Sequence, residues 1–128
     1  GSVFALGSGV VIAAIYFSGT RHTHSGIDIA DQTMGSLATN LENYKNIGGN
    51  YPSHSQGLEA LIAKPTSAPQ PRRWTQTLDS DKSLYDPWGT KLKYHYPGKQ
   101  DPTRPEIVSA GPDKTFGTED DQSSQDGL

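Results

Sequence analysis

The chain has 128 residues, enough for one domain. Its 14 glycines and 9 prolines exclude an all-helical bundle, yet fall short of a collagen-like or disordered composition. The absence of cysteine excludes disulfides, thiolate zinc sites and cysteine catalysis, and a net charge of −3 argues against a nucleic-acid partner.

A hydrophobic share of 32%, with 2 Trp, 6 Tyr and 3 Phe, provides only a thin core, so the fold has use for an additional staple. A metal held by oxygen ligands is one that needs no cysteine. The charge is uneven: residues 1–100 carry 9 basic and 7 acidic groups, whereas 101–128 carry 2 basic and 7 acidic. The acidic excess therefore lies at the C-terminal end.

Val3–Phe17 (VFALGSGVVIAAIYF) is 15 residues without a charge. A complete span needs about 20, so this run reads as part of a membrane helix, with a buried core segment as the alternative. Ser18–Gly26 is polar and carries His22 and His24, which read as a solvated juxtamembrane stretch rather than a metal pair. From Ile27, the residues Ala30, Met34, Leu37, Leu41 and Tyr44 recur at helical spacing and define one buried stripe. Gly48-Gly49 predicts its C-terminal end. Helical glycines at 19, 26 and 35 predict a break or melted stretch around 18–27.

Tyr51-Pro52 leaves the helix extended, and Ser55 is expected to cap a short helix from Gln56 to Lys64, closed by Pro65. Thr66–Arg73 is a loop, followed by the apolar anchors Trp74 and Leu78. Asp86-Pro87-Trp88-Gly89 is a turn. Leu92, Tyr94 and Tyr96 then alternate with Lys91, Lys93 and His95, which predicts a strand near 90–96 with His95 on its wet face. A second strand is expected near 105–110. Tyr51, Leu58, Leu61, Ile62, Trp74, Trp88, Tyr94 and Ile107 are the predicted core.

Three segments stand out in order: YPSHSQGLEALIAKPT, YDPWGTKLKYHYPG and VSAGPDKTFGTEDDQSS. Their order and spacing resemble the major pseudopilins of type II secretion systems over about residues 37–124. The shared features are a helix ending in Tyr-Pro, a Gln-Gly-Leu-x-Ala-Leu segment, Asp-Pro-Trp-Gly and a Ser-x-Gly-x-Asp loop. The resemblance implies an α+β, pilin-like fold, with a long N-terminal helix packed on a small antiparallel sheet and a C-terminal calcium loop. It implies a structural subunit rather than an enzyme. Such a subunit is made as a membrane precursor, cleaved and N-methylated by a prepilin peptidase, and polymerised in the periplasm into a filament that drives export of folded proteins.

On that reading, residues 1–26 form part of the inner-membrane anchor and assembly helix, and residues 27–128 the periplasmic domain. Further copies of the chain, minor pseudopilins and an inner-membrane assembly platform are the implied partners. The chain departs from the family at its start: Phe4 is followed by Ala-Leu-Gly-Ser rather than a Thr-Leu-x-Glu-like run, so the family's mature start is expected to precede Gly1. A minor pseudopilin, a type IV pilin-like subunit or a non-polymerising, membrane-anchored calcium-binding module are the alternatives.

The loop 110–121 places Asp113, Glu119, Asp120 and Asp121 within nine residues, beside glycines. Crowded carboxylates repel unless a cation joins them, and calcium takes six to eight oxygens at flexible geometry. A solvated acidic tail explains the same composition, and EF-hand spacing is absent. The family resemblance implies Ca2+, with Asp113, Asp120 and Asp121 as side-chain ligands and carbonyls near Ala110 and Ser124 completing the shell. The resemblance also leads us to expect an aromatic near the C-terminus, which Gln125-Asp126-Gly127-Leu128 lacks. No nucleophile elbow, P-loop, dinucleotide fingerprint or HExxH occurs in the sequence.

Overall fold

The computed structural model describes residues 21–128, with side chains from Gly26 onward. The apolar run Val3–Phe17 and the side chains of His22 and His24 lie outside the described residues. Helix α1 spans Arg21–Gly48. Ala30, Met34, Leu37, Leu41 and Tyr44 are all buried, so the predicted stripe is the face laid on the domain. Gly49, at φ 96°, ends the helix, its N–H donating to the Lys45 carbonyl at 2.7 Å. Among the described residues, no helix is long and apolar enough to cross a membrane.

The helix continues unbroken through Gly26, so the described part of the predicted break (21–27) is helical. The reason lies in the turn at 86–89. A Cβ on Gly26 would stand 2.9 Å from Cζ2 of Trp88, so the indole sits against the bare backbone of that helical turn. Gly26 weakens the helix locally, yet it seats a tertiary contact that a larger residue would displace. Gly48 plays a similar part at the other end, where a Cβ would meet the Pro71 ring.

Three short strands form an antiparallel sheet in the order β1 (Lys93–His95), β2 (Glu106–Ser109), β3 (Gln122–Ser123). Tyr94 pairs with Ile107, and Ser109 with Gln122. The first two strands are shorter than predicted, and β3 falls where only a loop was expected. Two residues carry no readable alternation, so β3 had no pattern to betray it. Leu37, Leu41, Leu58, Leu61, Leu84, Leu92 and Ile107 meet between helix and sheet, with Tyr44, Tyr51 and Tyr94 around them. Each buried aliphatic side chain of this kind contributes about 1.5–3 kcal/mol. The Tyr94 hydroxyl donates to the Pro52 carbonyl at 2.7 Å, and burial pushes its pKa up.

Several predicted details are corrected. The helix expected over Gln56–Lys64 is only a 3-10 turn, Leu58–Leu61. Ser55 does not cap it. Gly57, at φ 66°, stands at the entry instead, and the Gln56 N–H donates to Ser53 Oγ at 3.1 Å. The Gln56 side chain is committed elsewhere: Nε2 donates to the carbonyls of Ser67 and Pro69, pinning the proline-rich loop. Trp88, Ile62 and Trp74 are half-buried rather than core; Ile62 and Trp74 line the core's margin, and Trp88 covers the helix. His95 is half-buried too, its ring stacked on His54 with centroids 5.4 Å apart.

Candidate functional site

The C-terminal loop is built outward from one buried carboxylate. Asp86 is 5% exposed. Its Oδ1 accepts from the N–H groups of Trp88 (3.1 Å) and Thr90 (2.8 Å), which fixes the Asp-Pro-Trp-Gly turn. Its Oδ2 accepts from the hydroxyl of Ser109 at 2.8 Å, and Ser109 Oγ in turn accepts from the Gly111 N–H at 3.2 Å. A polar chain thus runs from the turn that seats Trp88 on the helix to the start of the acidic loop.

Gly111 has φ 76°, and a Cβ there would overlap the Asp120 backbone carbonyl. Only glycine lets the two ends of the loop touch. Buried Ala110 therefore lies at the base, beside the point where Asp120 returns. Within the loop, Asp113 accepts from the Thr115 N–H (3.0 Å) and the Thr118 hydroxyl (2.6 Å). The Thr118 hydroxyl and then the Thr115 N–H hold the Asp113 carboxyl below its ordinary value. Asp121 Oδ2 accepts from the Gly117 N–H at 2.8 Å, while its Oδ1 is buried with no partner among the described residues.

The structure brings Ala110, Gly111 and Asp120 together at the loop's neck. Asp113 and Asp120 are exposed and Asp121 is half-buried. Ser124 is tied to β2 through its N–H, which donates to the Ile107 carbonyl at 2.8 Å, and its Oγ, which accepts from the Ile107 N–H at 2.9 Å. Among the described residues, no three His, Asp or Glu side chains are gathered so as to hold a metal. The available donors are nonetheless all oxygens, the set that hard cations take. The orphaned Oδ1 of Asp121 is an unmet acceptor of the kind a cation satisfies. A cation here would compete with Thr115, Thr118 and Gly117 for the same carboxylates.

Sequence reasoning missed two glutamines. Gln125 is 3% exposed; its Oε1 accepts from the N–H groups of Gln100 and Asp101, and its Nε2 donates to the carbonyls of Asp101, Arg104 and Pro105. It anchors the tail where an aromatic was expected. Gln122 reaches the helix, with Nε2 3.3 Å from the Ile27 carbonyl and 3.0 Å from Asp31 Oδ1. Neither has a local sequence signal, because their side-chain partners lie 20 or more residues away. Asp86 did have one, in the Asx-turn chemistry of Asp-Pro-Trp-Gly.

Comparisons agree with this geometry. The family model for type II secretion system protein G matches residues 19–125. The chain is 35% identical over 104 residues to the type II secretion system core protein G of Pseudomonas aeruginosa, covering 81% of this chain and 72% of that protein. It is 42% identical over 86 residues to the core protein G of Pectobacterium carotovorum, covering 67% of this chain and 54% of that one. The chain thus spans between half and three quarters of the length of these relatives. The crystal structure of the major pseudopilin from the type 2 secretion system of enterohaemorrhagic Escherichia coli matches with a TM-score of 0.70 and 31% identity, covering 81% of this chain and 90% of that one. A match across most of the chain, in sequence and in pilin-like α+β architecture, places it within the type II secretion system protein G family, the structural pseudopilins of a cell-envelope secretion system.

Proposed function

We propose that the chain polymerises, together with further copies of itself, into the periplasmic filament that drives export of folded proteins. On this reading, Val3–Phe17 belongs to a single-pass inner-membrane anchor, and residues 27–128 form the periplasmic domain. A prepilin peptidase processes and N-methylates the precursor. Minor pseudopilins and an inner-membrane assembly platform are its partners. The observation that carries the proposal is α1: one face of a 28-residue helix is consumed by the domain, while Ile27, Ile29 and Ile47 remain exposed on the rest. A helix used in this way is a stem that holds a small head.

The acidic loop is proposed to hold Ca2+ through Asp113, Asp120 and Asp121, with the carbonyls of Ala110 and Ser124. Bound there, the ion supplies charge neutralisation and closure of the loop onto the sheet. The unpartnered Asp121 oxygen and the all-oxygen donor set support this.

The test is assembly in a secreting bacterium whose own protein G has been deleted. Wild-type chain should restore sheared surface filaments and export, and replacing Val11 and Ile15 with Asp should abolish both. Membrane-anchored protein that restores neither filaments nor export would instead favour a non-polymerising module.

A further inference from the structure

We infer that Gln122 is the positioning residue that couples the acidic loop to the assembly helix, so that ordering the loop tightens α1 around Ile27–Asp31. The inference rests on the calcium reading for its natural trigger, and on the geometry alone for the coupling.

The loop ends in Asp121, and β3 begins at the next residue. Any force that fixes the Asp121 carboxylate therefore fixes the backbone of Gln122. Pairing with Ser109 holds that backbone from the other side, and Ser109 is itself hydrogen-bonded to Asp86. From this held position, the Gln122 amide spans 91 residues of sequence to Asp31 Oδ1 and 95 to the Ile27 carbonyl. Helical geometry directs that carbonyl at the N–H of Asp31, so Gln122 shares an acceptor that already closes a turn of the helix. One side-chain amide thus grips both ends of the same turn.

The opposite end of the amide is telling. Among the described residues, Gln122 Oε1 is buried without a partner, as is Asp121 Oδ1 next to it. Two adjacent residues thus each leave a buried acceptor unmet, which is unfavourable for both. A glutamine held at that cost, with its donor end on the helix, is fixed by position rather than by full satisfaction of its own groups. The grip also begins one residue beyond Gly26, a residue type that weakens a helix interior. Trp88 covers that glycine, and the same Asp86 that orders the Trp88 turn holds Ser109. The loop therefore reaches the same helical turn by two routes, of which Gln122 is the direct one.

The experiment is hydrogen exchange on the full chain in detergent, read peptide by peptide, with calcium or with a chelator. Wild type should show a several-fold slowing by calcium both in the loop 113–121 and in the helix around 27–31. Gln122→Ala should keep the loop response and lose most of the helix response. Thr118→Ala, which releases Asp113, provides a trigger that needs no calcium. In chelator, it should speed helix exchange in the wild-type background and have little effect once Gln122 is Ala. A loop indifferent to calcium, with the Thr118→Ala effect still requiring Gln122, would sink the calcium reading and uphold the coupling. Helix exchange that responds equally with and without Gln122, to whichever trigger moves the loop, would overturn the coupling. So would helix exchange that responds to neither trigger.

Discussion

Truncating Asp86 tests the polar chain that holds the turn and the loop together. Asp86→Ala removes the acceptor for three donors: the Trp88 and Thr90 N–H groups and the Ser109 hydroxyl. Hydrogen bonds to a charged group contribute about 1.5–3 kcal/mol each. The two N–H groups sit at half-buried residues, where water can replace part of what is lost. Ser109 is fully buried, so its hydroxyl is left without that recourse. The expected cost is therefore about 3–5 kcal/mol, below the sum of the three bonds. At about 4 °C per kcal/mol for a domain of this size, the unfolding midpoint should fall by roughly 12–20 °C. Asp86→Asn keeps an acceptor for both N–H groups, and should cost about 1–2 kcal/mol. Urea unfolding of the full chain in detergent, followed by tryptophan fluorescence, separates the two variants. A cost below about 1 kcal/mol for Asp86→Ala, or equal costs for both, would mean that Asp86 does not hold the turn and the loop together.

Trp88→Ala should cost about 1–2 kcal/mol, less than the 3–5 of a fully buried aromatic, because the ring covers the helix rather than filling the core. Gly26→Ala should destabilise in wild type, since its Cβ would meet the Trp88 ring at 2.9 Å, and should stabilise by up to about 1 kcal/mol once Trp88 is Ala; the sign reversal is read from a double-mutant cycle. Gln125→Ala unfastens the tail from the 100–105 loop, and limited proteolysis should then cut near the C-terminus several-fold faster than in wild type. Asp113 has its pKa lowered in the fold, so its contribution to stability is complete above the unfolded carboxylate pKa and is lost as pH falls through the lower folded value, below about 4. Thr118→Ala should raise the Asp113 titration midpoint observed by NMR, and an unchanged midpoint would show that the hydroxyl does not hold the carboxylate.

The parts of the fold governed by local periodicity were legible. The helical stripe from Ala30 to Tyr44 and the alternation at Lys91–Tyr96 each placed an element close to where it stands. What could not be read was set by distant partners. Gln56 is drawn from its helix by the loop at 67–69, and Gly57 enters at positive φ, so a helical pattern yields only a 3-10 turn. Gly26 reads as a flaw in a helix until Trp88, 62 residues on, is placed against it. The acidic loop was visible as composition and as a family motif, but the hydrogen bonds that direct each carboxylate are tertiary facts. Gln122 and Gln125 were silent, because an amide announces no partner from sequence alone.

Thermal unfolding of the full chain in detergent across a calcium titration tests whether a divalent cation closes the loop of this filament subunit, as proposed above. The midpoint should rise with calcium, by the equivalent of about 2.7 kcal/mol at a hundredfold excess over the dissociation constant. That rise should be lost in Asp113→Ala and in Asp121→Ala. A midpoint that is the same in calcium and in chelator, with both variants indistinguishable from wild type in their response, would contradict closure by a cation.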